Sequence, residues 1–103
     1  MSNIFRAIPD DLSAEIFEDL AVSKNVKIER IISNGHSSPD VGWYDQEQNE
    51  WVIVLKGEAL ISFADKPPVT LKEGDYLNIP AHQKHKVEWT LPDQKTIWLA
   101  VHY

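Results

Sequence analysis

Residues 50–57 read Glu-Trp-Val-Ile-Val-Leu-Lys-Gly, and residues 74–85 read Gly-Asp-Tyr-Leu-Asn-Ile-Pro-Ala-His-Gln-Lys-His. The first stretch holds an apolar run of strand length that is rich in β-branched residues, and Lys56-Gly57 then turns the chain. The second stretch holds a short strand over 76–79, which Pro80 ends. Short strands bounded by Gly and Pro predict an antiparallel β-structure here.

The same pattern extends to both sides of these stretches. Turn residues recur about every eight to twelve positions, which favours a β-sandwich or barrel. Because no long helical segment separates the strands, the pattern argues against a parallel sheet. We expect the strand over 58–63 to pair antiparallel with 51–55 through the Lys56-Gly57 turn. The predicted strands are 26–33, 51–55, 58–63, 69–71, 76–79, 86–90 and 96–103.

The N-terminal segment carries a helical pattern instead. Asp and Ser residues after Pro9 are N-cap candidates, and apolar residues then recur at helical spacing. We therefore predict a short N-terminal helix near 10–21 that covers the sheet with Leu12, Ile16, Phe17 and Leu20. The predicted organisation is one domain, with an N-terminal arm and helix over 1–25 and a β-barrel over 26–103.

Composition limits the functional classes. The 103 residues are 43% apolar and 25% charged, which is typical of one small globular domain. No apolar run is long enough for a membrane span, and the first residues lack the pattern of a secretory signal. The net charge of −6 would repel a nucleic acid. The absence of cysteine excludes disulfides, thiolate zinc sites and cysteine nucleophiles, and we expect a cytoplasmic protein.

Candidate site residues cluster around the two quoted stretches. Glu50 lies at the mouth of an apolar strand, where an inward carboxylate would need a cation or hydrogen-bond partners. His82 and His85 follow the strand that Pro80 ends, and two imidazoles three residues apart can converge on one ion. We interpret His36 and His102 as a loop residue and a packed residue.

The spacing of these residues resembles the two motifs of the cupin superfamily. Those motifs are G-x5-H-x-H-x3-4-E-x6-G and G-x5-P-x-G-x2-H-x3-N, and the matching text is E-WVIVLK-G at 50–57 and G-DYLNI-P-A-H-QK-H at 74–85. The resemblance implies a small antiparallel jelly-roll barrel. It also implies one divalent metal inside the barrel, held by three histidines and a glutamate.

The resemblance carries over only part of that ligand set. Glu50 takes the glutamate position and His85 the second-motif histidine. The paired histidines are missing. Their positions hold Trp43 and Asp45 if the gap before the glutamate is four residues, or Tyr44 and Gln46 if it is three. In the second motif, the central glycine is replaced by His82 and the final asparagine by Trp89.

Two kinds of site therefore stay open. In the first, the metal ligands are Glu50, His85, Asp45 and His82, a set of nitrogen and oxygen donors that suits Zn, Fe(II), Mn or Ni. In the second, the barrel holds no ion and binds its ligand in a pocket. The pocket candidates are Trp43, Tyr44, Gln46, Tyr76 and Trp89.

These sites lead to two functional hypotheses. The first is a single-domain cupin that binds a divalent metal and a small molecule, as a metal-dependent dioxygenase or isomerase. The alternative is a non-catalytic cupin that binds a small molecule without metal. In both cases we expect a homodimer, because small barrels of this kind often bury an outer sheet face, and we expect neither nucleic acid nor membrane as a partner.

Overall fold

The computed structural model of the chain describes residues 1–38 and 42–103. These residues form eight β-strands and no helix, so none of their elements is a helix that could span a membrane. The strands are β1 (Ile16–Val22), β2 (Lys27–Asn34), β3 (Glu50–Lys56), β4 (Glu58–Phe63), β5 (Val69–Lys72), β6 (Tyr76–Ile79), β7 (His85–Thr90) and β8 (Lys95–His102).

The strands form two antiparallel sheets that enclose one core. The larger sheet has the order β1-β2-β8-β3-β6, and the smaller has the order β5-β4-β7. Alternate residues of each strand face inward, so the apolar residues of both sheets meet. The buried core consists of Ile31, Val52, Val54, Ala59, Ile61, Phe63, Leu71, Ile79, Trp98 and Ala100. This is the predicted all-β jelly-roll architecture.

The predicted strands are confirmed, but one predicted pairing is wrong. The turn at Lys56-Gly57 does not fold β4 back onto β3. β3 is already bonded to β8 on one side and β6 on the other, so the turn carries the chain into the smaller sheet, where β4 pairs with β5 and β7. Gly57 has a φ of 92°, and a Cβ there would lie 2.8 Å from the Cα of Thr96. Only glycine fits this crossing without strain.

The predicted N-terminal helix is also wrong. Asp11 does accept a hydrogen bond from the backbone N–H of Ser13 at 3.0 Å, as an N-cap would, and this bond lowers the pKa of Asp11. No helix follows it. Residues 16–22 form β1 instead and pair with β2, because a short isolated helix is marginal in water whereas an edge strand gains a full ladder. The predicted boundary at residue 25 therefore falls in the turn between two paired strands.

The N-terminal arm lies across the outer face of the larger sheet and is held by one buried arginine. Arg30 alternates with inward-facing Glu29 and Ile31, so its side chain points outward. Its guanidinium donates to the carboxylate of Glu18 at 2.8 and 3.0 Å. It also donates to the backbone carbonyls of Ile4, Arg6 and Ala7. The arm thereby leads Glu15 and Phe17 to the mouth of the interior.

Candidate functional site

A cavity of about 140 Å³ lies between the two sheets. Its wall is apolar over much of its area and is built from inward positions of every strand but β5, together with residues that precede β1 and β3. The apolar lining residues are Phe17, Ile31, Val52, Ile61, Ile79, Val87 and Trp98. The polar lining residues are Glu15, Glu29, Tyr44, Gln46, Glu50, His85 and His102. An apolar cavity with a few convergent polar groups is the usual form of a small-molecule site.

Glu50 and His85 form a nearly buried pair in this cavity. Glu50 begins β3 and His85 begins β7, so the pair joins the two sheets. His85 Nε2 lies 3.5 Å from Glu50 Oε1, and only 7% and 12% of the two side chains are exposed. The spacing of the two residues predicted that both would face the interior and share one site.

The hydrogen bonds of His85 fix which nitrogen faces the cavity. Nδ1 lies 2.8 Å from the backbone carbonyl of Gln83 and donates to it, so Nε2 is the atom presented to Glu50. Burial of the ring opposes its protonation. The Glu50 carboxylate and the Gln83 carbonyl outweigh that effect, and the pKa of His85 is raised above its ordinary 6.5. The His85 ring is therefore protonated more readily beside Glu50 than a free imidazole is.

A second carboxylate–imidazole pair lies beside the first. His102 Nε2 is 2.8 Å from Glu29 Oε1, and both residues are buried. In the sheet register His102 is directly opposite Glu50, so their side chains share one face. Acid and imidazole thus alternate across the cavity, in the order Glu29, His102, Glu50 and His85.

The third carboxylate of the cavity is held by a serine and a tryptophan. The hydroxyl of Ser33 donates to Glu15, and the indole N–H of Trp98 donates to Ser33 Oγ at 3.2 Å. Among the described residues, every buried side-chain nitrogen and oxygen has a hydrogen-bond partner. Hydrogen bonds therefore orient the buried polar groups of the cavity, among them Glu29, His85 and His102.

Comparison with known proteins agrees with this architecture. Residues 31–102 match the sequence model of the cupin domain family. The chain belongs to the cupin family. No curated protein matches this cupin. It shares 47% identity with a solved protein of Ralstonia eutropha JMP134 that is provisionally named a mannose-6-phosphate isomerase, over 99% of this chain and 95% of that chain, with a TM-score of 0.93.

More distant solved structures share the fold of this cupin. A cupin superfamily protein of Desulfitobacterium hafniense DCB-2 is 25% identical over 92% of this chain and 82% of that chain, with a TM-score of 0.74. A cupin of Methanocaldococcus jannaschii with a double-stranded β-helix fold is 21% identical over 92% of this chain and 84% of that chain, with a TM-score of 0.73. The second likeness supports the fold alone.

The four residues predicted as metal ligands lie in two separate pairs. Glu50 and His85 line the cavity of this cupin, whereas Asp45 and His82 pair with one another outside it. His82 Nδ1 lies 2.9 Å from Asp45 Oδ1, and 66% and 43% of these side chains are exposed. His82 has a φ of 65°, so the turn keeps the left-handed backbone of the glycine that the cupin motif has there.

The structure distinguishes between the two alignments of the first motif. Tyr44 and Gln46 line the cavity, and Trp43 and Asp45 do not, as the three-residue gap predicts. Tyr44 is held by a β-bridge to His85, with their ring centroids 5.8 Å apart. The positions of the paired metal-binding histidines in other cupins are therefore occupied in this cupin by a phenol and an amide.

The other pocket candidates lie outside the cavity. Trp43, Tyr76 and Trp89 are exposed. The Trp43 ring lies under the ammonium of Lys86 at 4.8 Å, and Tyr76 packs on Trp51 with centroids 5.5 Å apart. Their aromatic character alone did not show on which face of the sheet each one lies.

Sequence reasoning missed several cavity residues that one signal could have found. The interpretation of His102 as a packed residue agrees with its burial but omits that it lies with Trp98 and Ala100 on the inward face of β8, where it lines the cavity. The same alternation in β2 places Glu29 and Ile31 on one face. A charged residue in register with core residues is a candidate site residue, because burial of a charge needs a partner.

The side chains of the cavity fit a divalent transition metal only in part. The Gln83 carbonyl orients His85 so that its Nε2 faces the cavity, and Glu50 offers a carboxylate oxygen; both atoms suit such an ion. A bound ion needs three or four convergent donors, and amide and phenol groups are weak ones. Among residues 1–38 and 42–103, no group of three or more His, Cys, Asp or Glu side chains is placed to hold an ion. The set therefore lacks one or two donors.

Proposed function

We propose that this cupin is an isomerase that moves a proton within a small hydroxy-carbonyl compound, and that Glu50 and His85 are its acid–base pair. The observation that carries the proposal is the nearly buried carboxylate–imidazole pair facing a cavity between the two sheets. The name given to the Ralstonia eutropha relative, which is 47% identical, supports the same reaction class. We favour isomerisation over dioxygenation because the chain's own residues can perform it.

The proposed roles follow from the protonation states that the pair favours. Glu50, ionised, removes the proton from the carbon next to the substrate carbonyl. His85, as imidazolium, donates its Nε2 proton to the carbonyl oxygen, which gives an enediol. Glu50 then returns its proton to the neighbouring carbon, and His85 takes back a proton from the other hydroxyl. Glu50 and His85 thereby regain their starting protonation states, and the reaction needs no oxidant or reductant.

The surrounding groups support these roles. The Gln83 carbonyl holds the His85 ring so that Nε2 faces the cavity. Tyr44 and Gln46 supply hydroxyl and amide groups that can bind substrate oxygens. The burial of the Glu50 and His85 side chains limits solvent screening of the interaction between them.

The test is the interconversion of glyceraldehyde and dihydroxyacetone, followed by proton NMR in D₂O. We expect Glu50→Gln to lower the rate by about 10²- to 10⁴-fold, the range for loss of a general base. Asp45→Asn is the matched control, because it removes the same charge from an exposed carboxylate–imidazole pair outside the cavity. Equal activity of Glu50→Gln and the unaltered protein would refute the proposal.

A second candidate function is binding without catalysis. It is favoured by Tyr44 and Gln46, which place hydrogen-bonding groups where other cupins have metal-binding histidines. Saturable binding of either compound without any exchange of carbon-bound hydrogen for deuterium would support this candidate over the isomerase.

We also propose that the protein is a homodimer. β1 is an edge strand of the larger sheet, and Leu20 and Val22 expose their side chains on it. Pairing with a second copy would cover such an edge. Light scattering should then give twice the chain mass of 11.8 kDa, and a monomer mass would refute the assignment.

A further inference from the structure

The cavity carries an excess of negative groups. Three carboxylates line it, from Glu15, Glu29 and Glu50, and two imidazoles, from His85 and His102. Among the described lining residues there is no lysine or arginine. The formal charge of the lining therefore lies between −3 with both imidazoles neutral and −1 with both protonated. In every protonation state of the imidazoles the lining is negative.

The devices that bind phosphate elsewhere are missing from this wall. Phosphate groups are usually held by arginine or lysine, or by the N-terminus of a helix. The described part of the chain has no helix, and its one buried arginine, Arg30, points away from the cavity toward Glu18. Lys27 lies 3.7 Å from Glu29 but is largely outside the wall. A phosphate dianion in the cavity would face three carboxylates, and the only cations that could offset them in the described lining are protonated His85 and His102.

The aromatic residues of the cavity favour a positively charged ligand. Phe17, Tyr44 and Trp98 line the cavity together with the carboxylates. Aromatic faces and carboxylates attract organic ammonium groups, the first through the ring quadrupole and the second directly. The polar side chains of the cavity can also form hydrogen bonds with neutral hydroxyl and carbonyl groups.

The size of the cavity limits the ligand further. Its 140 Å³ is close to the ~150 Å³ of an engineered cavity that holds benzene, and below the ~300 Å³ at which drug-sized pockets begin. A hexose phosphate is considerably larger than benzene. The lining residue Phe17 is 56% exposed, so the cavity opens to solvent there, and the part of a ligand that lies inside is about the size of benzene.

We propose that the cavity takes a compact unphosphorylated molecule, either neutral or carrying an ammonium group, and rejects sugar phosphates. This inference rests on the proposed function for the location of the site and names its substrate class. This substrate class excludes mannose 6-phosphate, the compound after which the Ralstonia eutropha relative is named.

Three small probes of different charge test the inference. They are dihydroxyacetone, which is neutral, aminoacetone, which is a cation, and dihydroxyacetone phosphate, which is an anion. Binding is followed by the indole N–H signals of the ¹⁵N-labelled protein. Of the four tryptophans, Trp98 alone lines the cavity, so the other three signals serve as internal controls. Trp98→Phe assigns the signal.

We expect dihydroxyacetone and aminoacetone to shift the Trp98 signal with saturation, and the phosphate to bind at least about tenfold more weakly. Glu29→Gln removes one cavity carboxylate and should reduce the difference in affinity between dihydroxyacetone phosphate and the other two probes. Glu47→Gln, which removes an exposed carboxylate outside the cavity, should leave it unchanged.

The outcomes separate this inference from the proposed function. Phosphate binding equal to or tighter than that of dihydroxyacetone would overturn the inference, even if isomerase activity is found. Saturable binding of dihydroxyacetone without isomerisation would overturn the proposed function and support the inference. No shift of the Trp98 signal with any probe would overturn the inference as well.

Discussion

Glu50 and His85 should stabilise the folded protein at mildly acidic pH and not at alkaline pH. The coupling energy between the two side chains is measured with a double-mutant cycle of Glu50→Gln, His85→Gln and the double variant. At 3.5 Å the pair is longer than an ideal charge-assisted hydrogen bond, so we expect a coupling energy at the low end for such bonds, about 1.5 kcal/mol. The exposed fractions of 7% and 12% leave little solvent to screen it.

The sign of the pH dependence follows from the raised pKa of His85. A raised pKa in the folded state means that the stabilisation is fully present below the unfolded value of about 6.5. It is lost as the pH rises through the folded-state pKa. Once the ring is neutral, Nδ1 keeps its proton for Gln83 and Nε2 presents a lone pair to Glu50, so the attraction disappears.

Urea unfolding of the four proteins at about pH 5.5 and about pH 9 measures this coupling. The control cycle uses Asp45→Asn and His82→Gln in the exposed pair, where solvent screening should hold the coupling energy below about 0.5 kcal/mol at either pH. A Glu50–His85 coupling that is the same at both pH values, or no larger than the control, would show that the pair does not carry the charges assigned to it.

Three further predictions concern the frame of the site. Arg30→Met should cost about 2–3 kcal/mol in urea unfolding, because it leaves Glu18 and three carbonyls without their donor, whereas the exposed Arg6→Met should cost little. Gly57→Ala should lower the free energy of unfolding by more than about 2 kcal/mol, because its Cβ would overlap Thr96. Gly74→Ala should lower it by only about 1 kcal/mol, because its Cβ meets no atom within 4 Å. Equal losses of stability in the two variants would refute the steric argument. Dialysis against a chelator should leave isomerase activity unchanged, because only two of the described metal-ligand side chains face one another in the cavity. A loss of activity that one divalent metal restores would contradict the proposed acid–base pair.

Much of the fold could be predicted because its strands are marked locally. β4 and β6 have the predicted bounds, and the other predicted strands differ from the observed ones by a residue or so at their ends. Gly57 and Pro80 mark strand ends in the sequence itself. Which strands pair could not be deduced in the same way. The Lys56-Gly57 turn has the length of a hairpin, yet β3 is occupied on both edges by β6 and β8.

The helix failed for a related physical reason. The spacing of Leu12, Ile16 and Leu20 suits a helix, and Asp11 even makes the expected capping bond. That local preference is weak compared with a ladder to β2. The pairing between the carboxylate of Glu18 and Arg30 adds to the strand, and it depends on contacts that no local pattern reveals.

The candidate site could be located only in outline. Motif spacing identified Glu50 and His85, because both lie at the starts of strands that the motif fixes. The motif spacing could not decide whether Asp45 or Gln46 faces the cavity, because a shift of one residue places a side chain on the opposite face of an extended chain. Glu29 and His102 meet across 73 positions of sequence, so their pairing depends on sheet order and not on any local spacing.

The most direct test of the account is the position of a bound ligand. Intermolecular NOEs from the methylene protons of dihydroxyacetone to the protein locate it without reference to activity. We expect NOEs to the His85 ring and to the Trp98 indole, which face the same cavity. NOEs confined to exposed aromatic rings such as Trp43 and Trp89, with none to His85 or Trp98, would contradict it.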